Sequence, residues 1–200
     1  MRLTGRITLA LLSGVLAASP LRSEFLPHGR LQEKTAKPDE PAEMQMIEGG
    51  FLAINTPKGS IRSEGPGLAF FVKDGSNATD AEVWIYVSGS PIGEGESSKN
   101  RAEYIQSDIA GFKERFKDGV VREEQALELP KTKSKVPVVS FESGQAHNAF
   151  EQVVYIEEQS RVLSLVLSAK NKEAFLNALP LFREFARSYG GSITLAMGTK

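Results

Sequence analysis

Apolar residues recur along this chain in two rhythms. A period close to two runs through FLAIN (51–55), LAFFVKDG (68–75), EVWIYVSG (82–89), VVREEQALEL (120–129), VPVVSFES (136–143), AFEQVVYIEE (149–158) and RVLSLVLSA (161–169). Side chains alternate across a strand, so each stretch predicts a strand with two readable faces. In 82–89, Val83, Ile85 and Val87 point one way while Trp84 and Tyr86 point the other. In 161–169, Leu163, Leu165 and Leu167 line one face, with Val162 and Val166 on the opposite one. Both faces of these strands are apolar, so both need cover. The links between the last three are short, as antiparallel hairpins require.

The second rhythm is helical. In NRAEYIQSDIAGFKERFKDG (100–119), Ala102, Ile105, Ile109, Phe112 and Phe116 form one stripe. Asn100 is a suitable N-cap, with Glu103 in the reciprocal position. Lys113, Arg115 and Lys117 suit the negative end of the macrodipole, and Gly119 supplies a stop. A last helix over 171–189 buries Phe175, Leu179, Phe182, Phe185 and Ala186. Pro180 sits inside it and predicts a kink or a division into two short helices, since proline lacks the amide donor and crowds the preceding turn.

The N-terminus changes the picture. Arg2 and Arg6 precede the apolar run Ile7–Ala18, and small residues follow. That order reads as a secretory signal peptide cleaved between Ala17 and Ser23; a membrane span needs roughly 20 apolar residues. The charge-rich stretch 19–45 carries four prolines and reads as a flexible arm, with His28 solvated. The expected organisation is therefore a signal peptide over 1–23, a linker over 24–45, one folded domain over 46–191 and a tail over 192–200. Two hundred residues suit a single domain by the usual prior of roughly 100–200. The formal net charge of -1 gives no general pull toward nucleic acid or anionic membranes. Losing Arg2 and Arg6 leaves the mature chain mildly acidic, and no integral membrane span is expected in it. The absence of cysteine excludes disulfides, thiol nucleophiles and thiolate metal sites.

Candidate chemistry is sparse. Ser164 and Ser168 lie mid-strand, outside any strained G-x-S-x-G turn, and a small residue beneath a helix explains them. His147, in GQAHN, has Glu142 nearby but no second metal ligand at ligand spacing. Glu123-Glu124 and Glu157-Glu158 are adjacent pairs, so each pair splits across a strand's two faces. SGSPIGEGESSKN (88–100) lacks the dinucleotide and P-loop spacings and reads as a mobile loop. KTKSK (131–135) is a basic turn, suited to guarding a strand edge or steering an acidic partner. Asn77-Ala78-Thr79 is a glycosylation sequon. No catalytic, metal-binding or cofactor-binding residue is expected.

The order of features at the C-terminal end carries a resemblance. An aromatic strand around Tyr155 precedes VLSLVLSAK, and a helix with Phe175, Phe182 and Phe185 ends in RSY (187–189). FLAINTPKG (51–59) is a similar early proline turn. In these patterns the domain resembles the PsbP-like superfamily, which includes an extrinsic photosystem subunit, a nuclear-import factor that binds the GTPase Ran, and many exported bacterial proteins. The resemblance implies an α+β fold: an antiparallel β-sheet flanked by helices on both faces, an α/β/α sandwich. It also implies a docking or assembly module and brings no catalytic residues with it.

The leading expectation is therefore an exported, periplasmic or extracellular, non-enzymatic domain that binds a protein partner or assembles on an envelope complex. An alternative is a binder of a small apolar ligand or lipid between sheet and helix, near Trp84 and Tyr86. A hydrolase using Ser164 or Glu142 with His147 ranks third. Counting chain reversals puts the loop 89–99, the turn with Lys131, Lys133 and Lys135, and the turn before Arg161 at one end of the sheet. His147 and Asn77 fall at the other. Loops on a rigid scaffold commonly carry binding. The expected partner-binding residues are accordingly Lys131, Lys133, Lys135, Arg161, Glu94 and Glu96.

Overall fold

The computed structural model describes residues 43–47, 50–63, 67–72 and 80–194. The expected signal peptide, most of the linker, His28, the Asp74-Gly75 turn and Asn77 lie outside the described residues. In chain order the elements are β1 (Met44–Ile47), β2 (Gly50–Ala53), β3 (Ser60–Arg62), β4 (Leu68–Val72), β5 (Val83–Pro91), α1 (Arg101–Arg115), β6 (Val120–Leu129), β7 (Ser134–Glu142), β8 (Phe150–Glu158), β9 (Arg161–Ala169), α2 (Lys172–Arg187) and β10 (Ser192–Thr194). The described residues are mostly antiparallel sheet with two helices. Seven strands pair in the order β3-β4-β5-β9-β8-β7-β6, and β1-β2-β10 form a smaller sheet.

β9 lies between β5 and β8, and every residue from Val162 to Ala169 is buried. Its alternation sorts two cores. Leu163, Leu165 and Leu167 join Val83, Ile85, Val154 and Ile156 in a cluster with Phe175, Ala178, Phe182, Phe185 and Ala186 of α2. Val162 and Val166 join Val139, Phe141, Val153 and Tyr155 in a smaller cluster with Ile105 and Phe112 of α1. The strand period thus assigns each residue to a helix.

α1 starts as its sequence requires. The Asn100 side chain accepts from the amide of Glu103 at 3.0 Å, and the Glu103 carboxylate accepts from the amide of Lys99 at 2.8 Å. The buried stripe differs from the expected one at its ends and middle. Ala102 is exposed, Tyr104 packs on the core in its place, and Asp108 sits among the apolar residues. The helix ends at Arg115, where Phe116 turns extended and donates its amide to the Phe112 carbonyl at 2.9 Å. Gly119 follows in a turn with no room for a side chain: a Cβ would lie 2.7 Å from both the Phe112 ring and the Phe116 carbonyl.

α2 is one helix that runs through Pro180 from Lys172 to Arg187, so of the two expectations, a kink or a division, the division into two short helices does not occur. Pro180 lies on the exposed side, as does Leu176 one turn earlier. The carbonyl deprived of its amide partner therefore belongs to a solvent-facing turn, where it is open to water.

β1 and β10 extend the folded region beyond the 46–191 limits read from the sequence. Both are short and pair on either side of β2, through Met44↔Ala53 and Ser192↔Leu52. Next to β1, the Glu43 carboxylate accepts from the Thr56 amide at 2.9 Å, the Thr56 hydroxyl at 2.7 Å and the Gln45 amide at 3.0 Å. These bonds, the Thr56 amide foremost, hold its pKa below the usual glutamate value against the opposing effect of desolvation.

Candidate functional site

Strand register decides which loops meet. Pro91 of β5 pairs with Arg161, and Arg161 with Glu158, so the β5–α1 loop and the β8–β9 turn share one end of the sheet. β7 starts at that end too, because Val138 pairs with Val154 while Glu142 pairs with Phe150 at the opposite one. The β6–β7 turn therefore joins them. Between β5 and β7 lie β9 and β8, so the loop and the lysine turn stand roughly 14 Å apart across the sheet.

The Gly/Ser-rich loop is a hydrogen-bonded turn. Ile92 donates its amide to the Ser160 carbonyl at 2.8 Å, Gly93 to Ser98 at 3.0 Å, and Glu96 to Gly93 at 3.2 Å. Gly93 and Gly95 adopt φ of 127° and 87°, which favour glycine, while Ile92 and Ser98 are buried beneath the turn. Glu94, Glu96 and Lys99 surround an open cleft of about 400 Å³.

The three lysines diverge. Lys131 runs alongside Gly190, just past α2, where a Cβ on the glycine would approach its Cδ to 3.6 Å. Lys133 occupies the turn with φ 53° and is exposed, and Lys135 pairs in register with Glu128 of β6. They share a hairpin but not a face.

Arg161 belongs to a different arrangement. Its Nε and Nη2 reach Glu158 Oε2 at 3.0 and 2.9 Å. The same carboxylate accepts from the Tyr189 hydroxyl and from Ser192 Oγ, the latter at 2.6 Å. Its side chain is 13% exposed. Glu157 turns to the other face and lies 3.8 Å from Arg101 of α1. The split of this acidic pair follows from strand alternation. The gathering of Tyr189 and Ser192 around Glu158 has no signal in local sequence, because those residues arrive from α2 and β10.

Of the residues considered for hydrolysis, Ser164 is kept apart from His147. His147 is exposed in the β7–β8 turn at the opposite end, where Ser143 Oγ donates to Asp118 at 2.6 Å. Ser164 pairs with Tyr155, five positions along from Phe150, which puts it roughly 16 Å from that end. It is 4% exposed and its hydroxyl has no hydrogen-bond partner among the described residues. Ser168 donates to Glu151 at 3.0 Å, and Glu142 pairs with Arg122 at 3.0 Å. Tyr155 donates to Asp108 of α1 at 2.6 Å, a partly buried polar contact that the stripe pattern concealed. Near the proposed apolar site, Trp84 lies against Phe71 with ring centroids 5.4 Å apart, and Tyr86 packs on the α1-side core.

No family model matches the chain, and no curated protein matches it. Among solved structures it is similar to the solution structure of cyanobacterial PsbP (CyanoP) from Synechocystis sp. PCC 6803. The match has a TM-score of 0.46 at 14% identity and covers 80% of this chain and 98% of that one.

Proposed function

We propose that this chain is an exported, non-enzymatic binding domain that engages a protein partner through the end of the sheet formed by the 92–100 loop and the turns before Ser134 and Arg161. The observation that carries the reading is the convergence of three connections on one rigid end. They bring Glu94 and Glu96 to one side and Lys131, Lys133 and Lys135 to the other, with Arg161 between them. In this reading α1 and α2 cover opposite faces of the sheet, and binding falls to what the helices leave open. The N-terminal basic and apolar segment supports export. Burial of Ser164 far from His147 favours binding over serine hydrolysis.

The test is capture of partner from the native envelope fraction by the tagged mature protein. Lys131→Glu, Lys133→Glu and Lys135→Glu are combined in a second bait. Exposed ion pairs contribute up to about 1 kcal/mol each, so the triple reversal should weaken retention by roughly 10- to 100-fold while the melting curve stays near that of the parent. Equal retention by both baits removes the lysine turn from the interface.

A further inference from the structure

β10 is three residues long, and among the described residues it pairs with β2 alone. The chain reaches it through Gly190 and Gly191. Gly191 adopts φ 112°, while Gly190 donates to the Ala53 carbonyl at 2.7 Å and the Ala53 amide donates back to Gly191 at 2.9 Å. The side-chain tether is Glu158. Its carboxylate takes Arg161 from its own hairpin, Tyr189 from the end of α2 and Ser192 from β10. One acidic group therefore clasps three segments, and the strand is the shortest of them.

We propose that the outer edge of β2 is a strand-exchange site, occupied by the chain's own β10 or by β10 of a second copy, with Glu158 as the clasp between the two states. A three-residue ladder belongs to the low-stability end of a structure and opens locally at small cost. The paired glycines absorb the change of backbone direction. Once open, β2 presents unpaired amides and carbonyls, the template that extended segments recognise. β1 remains on its far side and keeps it extended. The segment with the right register, Ser192↔Leu52 through Thr194↔Gly50, is β10 itself, so a second copy fills the edge without a new kind of contact.

Two measurements on different forms of the protein test this. In the full chain, Glu158→Gln with Ser192→Ala should speed amide exchange at 50–53 and 192–194 by about tenfold or more relative to the parent, with β9 unchanged. In sedimentation velocity both parent and variant should show a concentration-dependent dimer. The variant should reach it faster after a change of concentration, because Glu158 holds β10 in either state and its loss lowers the barrier between them. A chain ending at Gly190 should bind a labelled peptide copying residues 191–200, and N-methyl groups along 192–194 should abolish that binding. Unchanged exchange at 50–53 in the double variant overturns the proposal. So does a folded truncated chain that ignores the peptide. If the truncated chain does not fold, exchange and sedimentation of the full-length variant decide.

Discussion

α2 buries Phe175, Ala178, Phe182, Phe185 and Ala186 against the sheet, whereas α1 buries Ile105 and Phe112. Between those two residues α1 carries Asp108, whose carboxylate accepts from Tyr155, and on the same strand face as the α1-side core Ser164 has a hydroxyl without a partner among the described residues. α2 is thus held by close packing of apolar surface. α1 is held by less of it, together with polar groups that must find partners in a confined space. Two amphipathic helices on one sheet can be fastened by different physics. The α1 side is where local opening should cost least.

The largest test of that contrast is a pair of ring deletions. Phe182 is fully buried, so Phe182→Ala should cost ~3–5 kcal/mol in chemical denaturation. Phe112→Ala should cost less, about 3 kcal/mol or under, because the ring sits at the margin of a smaller cluster. Equal losses would erase the distinction between the helices. Next comes the polar contact. Tyr155→Phe removes a donor from a carboxylate and should cost about 1–2 kcal/mol, with exchange in α1 accelerated more than in α2.

A smaller effect, of opposite sign, separates two serines on one face of β9. Ser164→Ala removes a buried hydroxyl that makes no bond and should leave stability unchanged or raise it by up to about 1 kcal/mol, while Ser168→Ala, which loses the bond to Glu151, should lower it by about as much. Parallel losses in the two variants would mean that Ser164 is bonded after all. The smallest effect concerns pH. Glu43 has a lowered pKa, so its contribution is present above the unfolded carboxylate value and fades as pH falls through the folded one. Glu43 binds Thr56, and the neighbouring Asn55 amide donates to Ser188 at the end of α2. Acid should therefore loosen that end of α2 before α1, and Glu43→Gln should flatten the pH dependence of its amide exchange.

The elements that the sequence pattern revealed are those with enough length to show a period. β5 through β9 alternate over nine or ten residues, and α1 and α2 carry stripes over several turns. β1, β3 and β10 are three or four residues long, too short for a period to be told from chance, and their pairing is decided elsewhere in the chain. Pro180 shows a different limit. Its effect on a helix depends on whether the turn it disrupts faces water, and that is a property of packing. The loops at the lysine end could be assigned to one end because reversals can be counted. The divergence of Lys131, Lys133 and Lys135 could not be read, since it depends on turn geometry and on Gly190 from a distant segment. Glu158 was visible as a carboxylate but not as a meeting point.

β6 has one more consequence. It is the long border of the large sheet, ten residues with no described strand on its outer side, and most of its residues before Leu127 are exposed. Between Glu124 and Leu127 its register against β7 shifts by one residue. A strand arriving from another molecule would fall out of step halfway along and meet Glu123 and Glu124 as it did so. The opposite border, β3, offers three residues. Among the described residues neither border offers a long regular template for stacking molecule upon molecule, so the large sheet should resist growing into fibres when the protein is crowded.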